Sequence, residues 1–106
     1  MSEAWTTISG VVVDDPADTA APDATRTYCV FVLETTPSLG RDAEAEPFRL
    51  AIRCAGGLAA GVLDKVYAGD RLTVYGRLGK DRSGIALYAV TVALDLRSVN
   101  EGDDAA

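Results

Sequence analysis

Between Phe48 and Cys54 the chain alternates without a break: Phe48, Leu50, Ile52 and Cys54 fall on one side, and Arg49, Ala51 and Arg53 on the other. A period of two belongs to a β-strand, whose successive side chains point to opposite faces of a sheet. Such a strand needs a core against its apolar face, and here its opposite face carries two arginines. A chain of 106 residues can bury one core and not a second. The alternation therefore predicts a single small domain built around a half-buried sheet.

The rest of the chain supplies partners for that strand. Trp5–Val13 (WTTISGVVV) is rich in β-branched residues, and Tyr28–Leu33 (YCVFVL) is an apolar run short enough to be a buried strand. The segment between them, Asp14–Thr27, is Pro, Asp, Thr and Ala without periodicity and reads as a surface loop. Thr35–Gly40 breaks the second strand, and the loop continues through the acidic stretch Arg41–Pro47. Over Gly57–Val66 the period changes: Leu58, Val62 and Val66, with Ala59 and Leu63 alongside, form one apolar stripe of a short helix. Gly56-Gly57 marks its start and Gly69-Asp70 the turn after it. Arg71–Leu78 alternates again, with Leu72 and Val74 inward and Thr73 and Tyr75 outward. Gly79–Gly84 (GKDRSG) reads as a hairpin turn, and Ile85–Val99 as a last long strand. Three strands, a helix and two strands is the order of an OB-fold, an all-β five-stranded Greek-key barrel with one short helix between strands three and four. Other small α+β arrangements share that order. The predicted domain spans residues 1–99, and residues 100–106 form a short acidic flexible tail.

Composition narrows the chemistry. The chain has no histidine, which removes Ser-His-Asp and Cys-His catalysis and every histidine-containing zinc site. Cys29 and Cys54 are too few for a cysteine-only zinc site. They read as reduced core thiols or, failing that, as a disulfide between neighbouring strands. No constellation of catalytic groups stands out, so the expectation is a binding protein without enzymatic activity, metal or cofactor. No apolar run approaches the ~20 residues that cross a bilayer. The start, Met1-Ser2-Glu3-Ala4, lacks the pattern of a secretory signal, which points to the cytoplasm. GKDRSG lacks the glycine spacing of a phosphate loop, and Asp14, Asp15 and Asp18 lack metal-ligand spacing, so both read as loop residues.

The net charge of −6 is unevenly spread. Residues 1–48 carry a net of −7, residues 49–97 a net of +4, and the tail from Ser98 a net of −3. A basic segment between acidic ones hints at an anionic ligand.

The run VLDKVYAGDRLTVYGRL, Val62–Leu78, resembles the helix, turn and strand of bacterial single-stranded-DNA-binding proteins, where the strand closes in Gly-Arg-Leu. Extended without gaps, the match places Phe48–Ala55 on that family's third strand, Leu33–Pro37 at the end of its second, and Tyr88–Val99 on its last. The resemblance covers about Trp5 to Val99. It implies an OB-fold, single-stranded DNA binding without strong sequence preference, and assembly into dimers or tetramers. The departures bear on binding. The family's stacking aromatics fall on Leu39, Arg49 and Ala55, its long hairpin is cut to GKDRSG, and its hydrophobic tail tip is missing from Asp103-Asp104-Ala105-Ala106. Losing stacking contacts worth ~1–3 kcal/mol each predicts weak, strongly salt-dependent affinity.

Seven residues remain as candidates for the nucleic-acid site: Arg49 and Arg53 on the face where a strand would lie, Arg77, Lys80 and Arg82 around the hairpin, and Tyr75 and Trp5 as stacking platforms. The competing roles are ion pairs of Arg49 and Arg53 with Glu44, Glu46 or Asp64, and packing of Tyr75 and Trp5 against a neighbouring subunit. Outward valines on the first two strands (Val11, Val13, Val30, Val32) suggest a homo-oligomer interface, unless the loop Asp14–Thr27 covers them. Two functions follow. One is an oligomeric OB-fold that binds single-stranded DNA in replication, repair or recombination, or as a plasmid or phage accessory. The other is an OB-fold protein-interaction subunit of a replication or conjugation assembly that has lost most of that affinity.

Overall fold

The computed structural model describes residues 4–35 and 46–94. Its elements are β1 (Ala4–Val12), β2 (Ala17–Asp18), β3 (Tyr28–Thr35), β4 (Phe48–Ala55), α1 (Gly56–Lys65), β5 (Arg71–Asp81) and β6 (Gly84–Leu94). The strands follow the order β1-β5-β6-β4-β3-β2, and β1 also pairs with β3, which closes five of them into a barrel. All pairings are antiparallel except β4 with β6. A barrel of this connectivity, with one helix between its third and fourth long strands, is the OB-fold anticipated above. The two-residue β2, inside what reads as loop, adds to the edge of β3 through Ala17↔Val30 and Asp18↔Cys29.

Closure depends on one close approach. A Cβ on Gly10 would collide with the backbone carbonyl of Glu34, so only glycine lets β1 come near enough to β3 for the pairs Val11↔Glu34 and Val12↔Leu33. The core fills with Ile52, Leu72 and Val74, inward positions that the alternation marks, together with Leu33 and Leu87, all of them wholly buried. Each such side chain contributes ~1.5–3 kcal/mol relative to exposure. The helix packs on β3, β4 and β6, burying Ala59, Val62 and the following Val66, while Leu58 and Leu63 are only partly covered. Tyr67–Asp70 then turns the chain under β1, with Gly69 N donating to Val12 O at 2.8 Å and Val12 N to Asp70 O at 2.9 Å.

Two features here differ from the sequence reading. Phe48 shares the parity of Leu50 but is 45% exposed, because it sits at the end of β4, beyond the core. The hairpin is tighter than six residues: β5 runs to Asp81, β6 begins at Gly84, and Arg82-Ser83 alone make the turn. The last strand is described to Leu94, and the predicted extension to Val99 and the tail lie outside the described residues. Cys29 and Cys54 face each other across β3 and β4 as free thiols. Burial pushes the thiol of Cys54 up to about 12 and raises that of Cys29 as well. Asp15 accepts a hydrogen bond from Ala68 N at 2.7 Å, tying its loop to the turn after the helix.

Candidate nucleic-acid interface

Residues opposite one another in a sheet share a face, and the register traces one row around the outside of the barrel. Val30 on β3 opposes Arg53 on β4, Arg53 opposes Tyr88 on β6, Tyr88 opposes Arg77 on β5, and Arg77 opposes Trp5 on β1. Three of the seven predicted residues thus lie on a single row, with an unforeseen tyrosine between the two arginines. Tyr75, two residues along β5 from Arg77, joins the row's end by stacking on Trp5 with ring centroids 5.6 Å apart and planes 19° apart. Both rings stay nearly half exposed, Trp5 at 47% and Tyr75 at 43%.

The other three stand apart. Arg49 lies four residues from Arg53 on the outer face of β4. Lys80 has the inward parity of Leu72 and Leu78 but is exposed, near the hairpin end of β5, and Arg82 is in the turn itself. Among the described residues neither Lys80 nor Arg82 has an ion-pair partner.

The arginines of β4 are paired, though not with the acids expected from the sequence. Arg49 Nε lies 3.1 Å from Glu34 Oε2, its register partner on β3. With side chains 64% and 42% exposed, this pair contributes at most ~1 kcal/mol to stability. Arg53 is held more closely. Its Nη2 donates to Ser83 Oγ at 2.9 Å, and its Nε sits 3.0 Å from Asp81 Oδ2. That second contact is ionic rather than a hydrogen bond, because the buried Nε–H is not aimed along it. Of the expected partners, Glu46 and Asp64 take no part in either pair, and Glu44 lies outside the described residues.

Asp81 is the hub of this cluster. Its Oδ1 accepts from Ser83 Oγ at 2.6 Å and Ser83 N at 2.8 Å, and its Oδ2 accepts from Tyr88 Oη at 3.1 Å. The hydrogen bonds from Ser83, with help from Tyr88 and the charge of Arg53, hold the carboxyl down at about 2. Burial and the neighbouring Asp81 carboxylate raise the Tyr88 phenol above its usual value. The Tyr88 ring can reach Asp81 because Gly79 lies under it: a Cβ there would stand 2.7 Å from Tyr88 Cε2. Ser83, which superficially completes a phosphate loop, is thus occupied with Asp81 and Arg53.

Sequence reading missed Asp81, Ser83 and Tyr88. Asp81 and Ser83 belong to GKDRSG, which in sequence reads only as a turn, and the alternation of β6 is the one signal that places Tyr88 outside. What joins them to Arg53 is the parallel pairing of β4 with β6, a contact across the helix and the whole of β5.

No protein-family model matches the chain, and no curated protein matches it by sequence. Solved structures do. The second single-stranded-DNA-binding protein of Mycobacterium smegmatis is 22% identical, with 92% of this chain and 93% of that one covered and a TM-score of 0.74. The small single-stranded-DNA-binding protein of Streptomyces coelicolor is 21% identical, with 92% and 96% covered and a TM-score of 0.76. A single-stranded-DNA-binding-protein domain from Synechococcus is 20% identical, with 88% and 97% covered and a TM-score of 0.71. At these identities the likeness establishes a shared fold over nearly the whole of each chain.

Proposed function

We propose that this protein binds single-stranded DNA without sequence preference, along the outer face of β4, β6 and β5, as a cytoplasmic homo-oligomer. The observation that carries the reading is the row Arg53–Tyr88–Arg77–Trp5, with Tyr75 on its end, on a fold shared with proteins named for that activity. Alternating cations and exposed rings are what a single strand requires, since phosphates take the charge and bases of any identity stack on the rings. Arg49, Lys80 and Arg82 add basic surface on the hairpin side of that row. Affinity is weak and salt-sensitive, because Glu34 and Asp81 neutralise the arginines nearest the strand. A role in replication, repair or recombination, or as a plasmid or phage accessory, follows from that activity.

The homo-oligomer rests on the half-buried outward valines Val11, Val13, Val30 and Val32 and on the edge of β1 away from β5, which pairs with β3 only at Val11 and Val12. The same paired arginines and the net charge of −6 favour a second reading, a protein-interaction subunit with little affinity for DNA. Amide chemical-shift mapping with oligo-dT at low salt separates the two. Shifts concentrated on outer residues of β4, β5 and β6 support the proposal, and an unchanged spectrum sinks it.

A further inference from the structure

At one end of the row the outer face is indented rather than flat. A solvent-open cleft of about 220 Å³ lies where β3, β4 and β6 meet, with Tyr28, Arg53 and Tyr88 around it and Cys29, Cys54 and Ala55 among its other walls. Sites for whole drug-sized ligands measure ~300–1,000 Å³, so this cleft suits one flat ring system rather than a complete nucleotide.

Its walls are built for such a ring. Tyr28 is 41% exposed, and its register partner on β4 is Ala55, whose single methyl leaves the tyrosine ring uncovered on that side. Tyr88 is fixed from beneath by Gly79 and at its hydroxyl by Asp81. The guanidinium of Arg53 is held by Asp81 and Ser83, so its position is set before any ligand arrives. A planar guanidinium stacks on a base as well as pairing with phosphate, and Asp81 has already taken the ionic role. The buried thiols are protonated and offer a neutral, polarisable surface. Charge complementarity comes from Arg26, whose guanidinium lies over Gly56, where β4 passes into the helix beside Ala55.

We propose that the cleft between Tyr28 and Tyr88 is a nucleobase-stacking subsite, in which Arg53 forms part of the wall and Arg26 attracts the adjoining phosphate. This rests on the reading of the protein as a single-strand binder and adds to it a site for the base itself, with Tyr28 as the principal platform. Cations alone hold the backbone and do not distinguish a strand with bases from one without.

The test compares oligo-dT with an abasic oligonucleotide of equal length, by fluorescence anisotropy at low salt. One stacked base predicts about 5- to 150-fold tighter binding of oligo-dT to the unmodified protein. Tyr28→Leu should narrow that gap while leaving abasic binding unchanged, and Tyr67→Leu, at an exposed tyrosine of the turn after the helix and away from the row, should leave it as it is. Thermal melting establishes that the variants are folded. Photo-cross-linking of a 5-iododeoxyuridine oligonucleotide to the unmodified protein, with adducts expected on Tyr28 or Tyr88, decides the matter without any variant. Equal affinity for the two oligonucleotides, or a gap that Tyr28→Leu does not move, overturns the subsite and leaves single-strand binding standing. Binding of neither oligonucleotide overturns the functional reading, and the subsite with it.

Discussion

Replacing Glu34 by Gln should make this protein a better and more salt-sensitive binder of single-stranded DNA. Glu34 Oε2 accepts from Arg49 Nε at 3.1 Å, and both side chains are exposed on the outer face of adjoining strands. The carboxylate does two things to an approaching phosphate: it neutralises Arg49, and it repels the phosphate directly. At a separation of ~6 Å in water the repulsion is worth ~0.7 kcal/mol, or about threefold in affinity at low ionic strength. Releasing Arg49 adds one phosphate contact, which steepens the fall of log K with log salt by about 0.7. Between about 20 mM and about 200 mM salt the variant should therefore lose about five times more affinity than the parent. The cost in stability is small, at most ~1 kcal/mol for a pair this exposed. Asp64→Asn makes the same change in net charge on an exposed helix position and should alter neither quantity much. Oligo-dT anisotropy at several salt concentrations reads both numbers. An unchanged affinity and slope for Glu34→Gln would refute the placement of a strand over Arg49, and an equal gain from Asp64→Asn would reduce the effect to net charge.

Other consequences follow from the same contacts. Gly10→Ala forces β1 away from the Glu34 carbonyl and should destabilise the barrel by more than ~1 kcal/mol in a urea titration, since backbone cannot move aside as a flexible side chain can. Cys54, with its thiol pushed up to about 12 by burial, and Cys29 should resist thiol reagents near pH 8 in the folded protein and react fully once denaturant unfolds it. The carboxyl of Asp81 is held at about 2, against 3.8 for an ordinary aspartate. Its lowered value stabilises the fold above the unfolded value, and that stabilisation fades as pH falls from 3.8 through 2. Asp81→Asn should accordingly be less stable than the parent at neutral pH, with the difference shrinking toward pH 2 in acid-melting curves.

The fold was legible because its signals are local. Alternation from Phe48 to Cys54 and from Arg71 to Leu78, and the change of period over Gly57–Val66, each need only a few neighbouring residues, and the structure places strands and helix there. The burial of Leu50, Ile52 and Cys54 followed the same pattern, and Phe48 escaped it because parity says nothing about where a strand outruns the core. The site was half legible. Alternation put Arg49, Arg53 and Tyr75 on the outside, yet the residues that hold Arg53 come from a turn 28 and 30 positions further along the chain. Which carboxylate meets which arginine is a matter of strand register, and the parallel β4–β6 pairing that brings Tyr88 beside Arg53 leaves no trace in either segment alone. The shift between Tyr75 and Gly76, where β6 carries an extra residue against β5, likewise cannot be read from spacing.

Single-strand binding on the outer face is tested most directly by titrating a fluorescent oligo-dT of about 30 nucleotides with the unmodified protein across a tenfold range of salt. Three contacts, from Arg77, Lys80 and Arg82, with Arg49 held by Glu34, predict binding at low salt and a log–log slope of about −2. No change in anisotropy at low salt, even at tens of micromolar protein, would contradict that claim and leave an OB-fold whose partner is another protein.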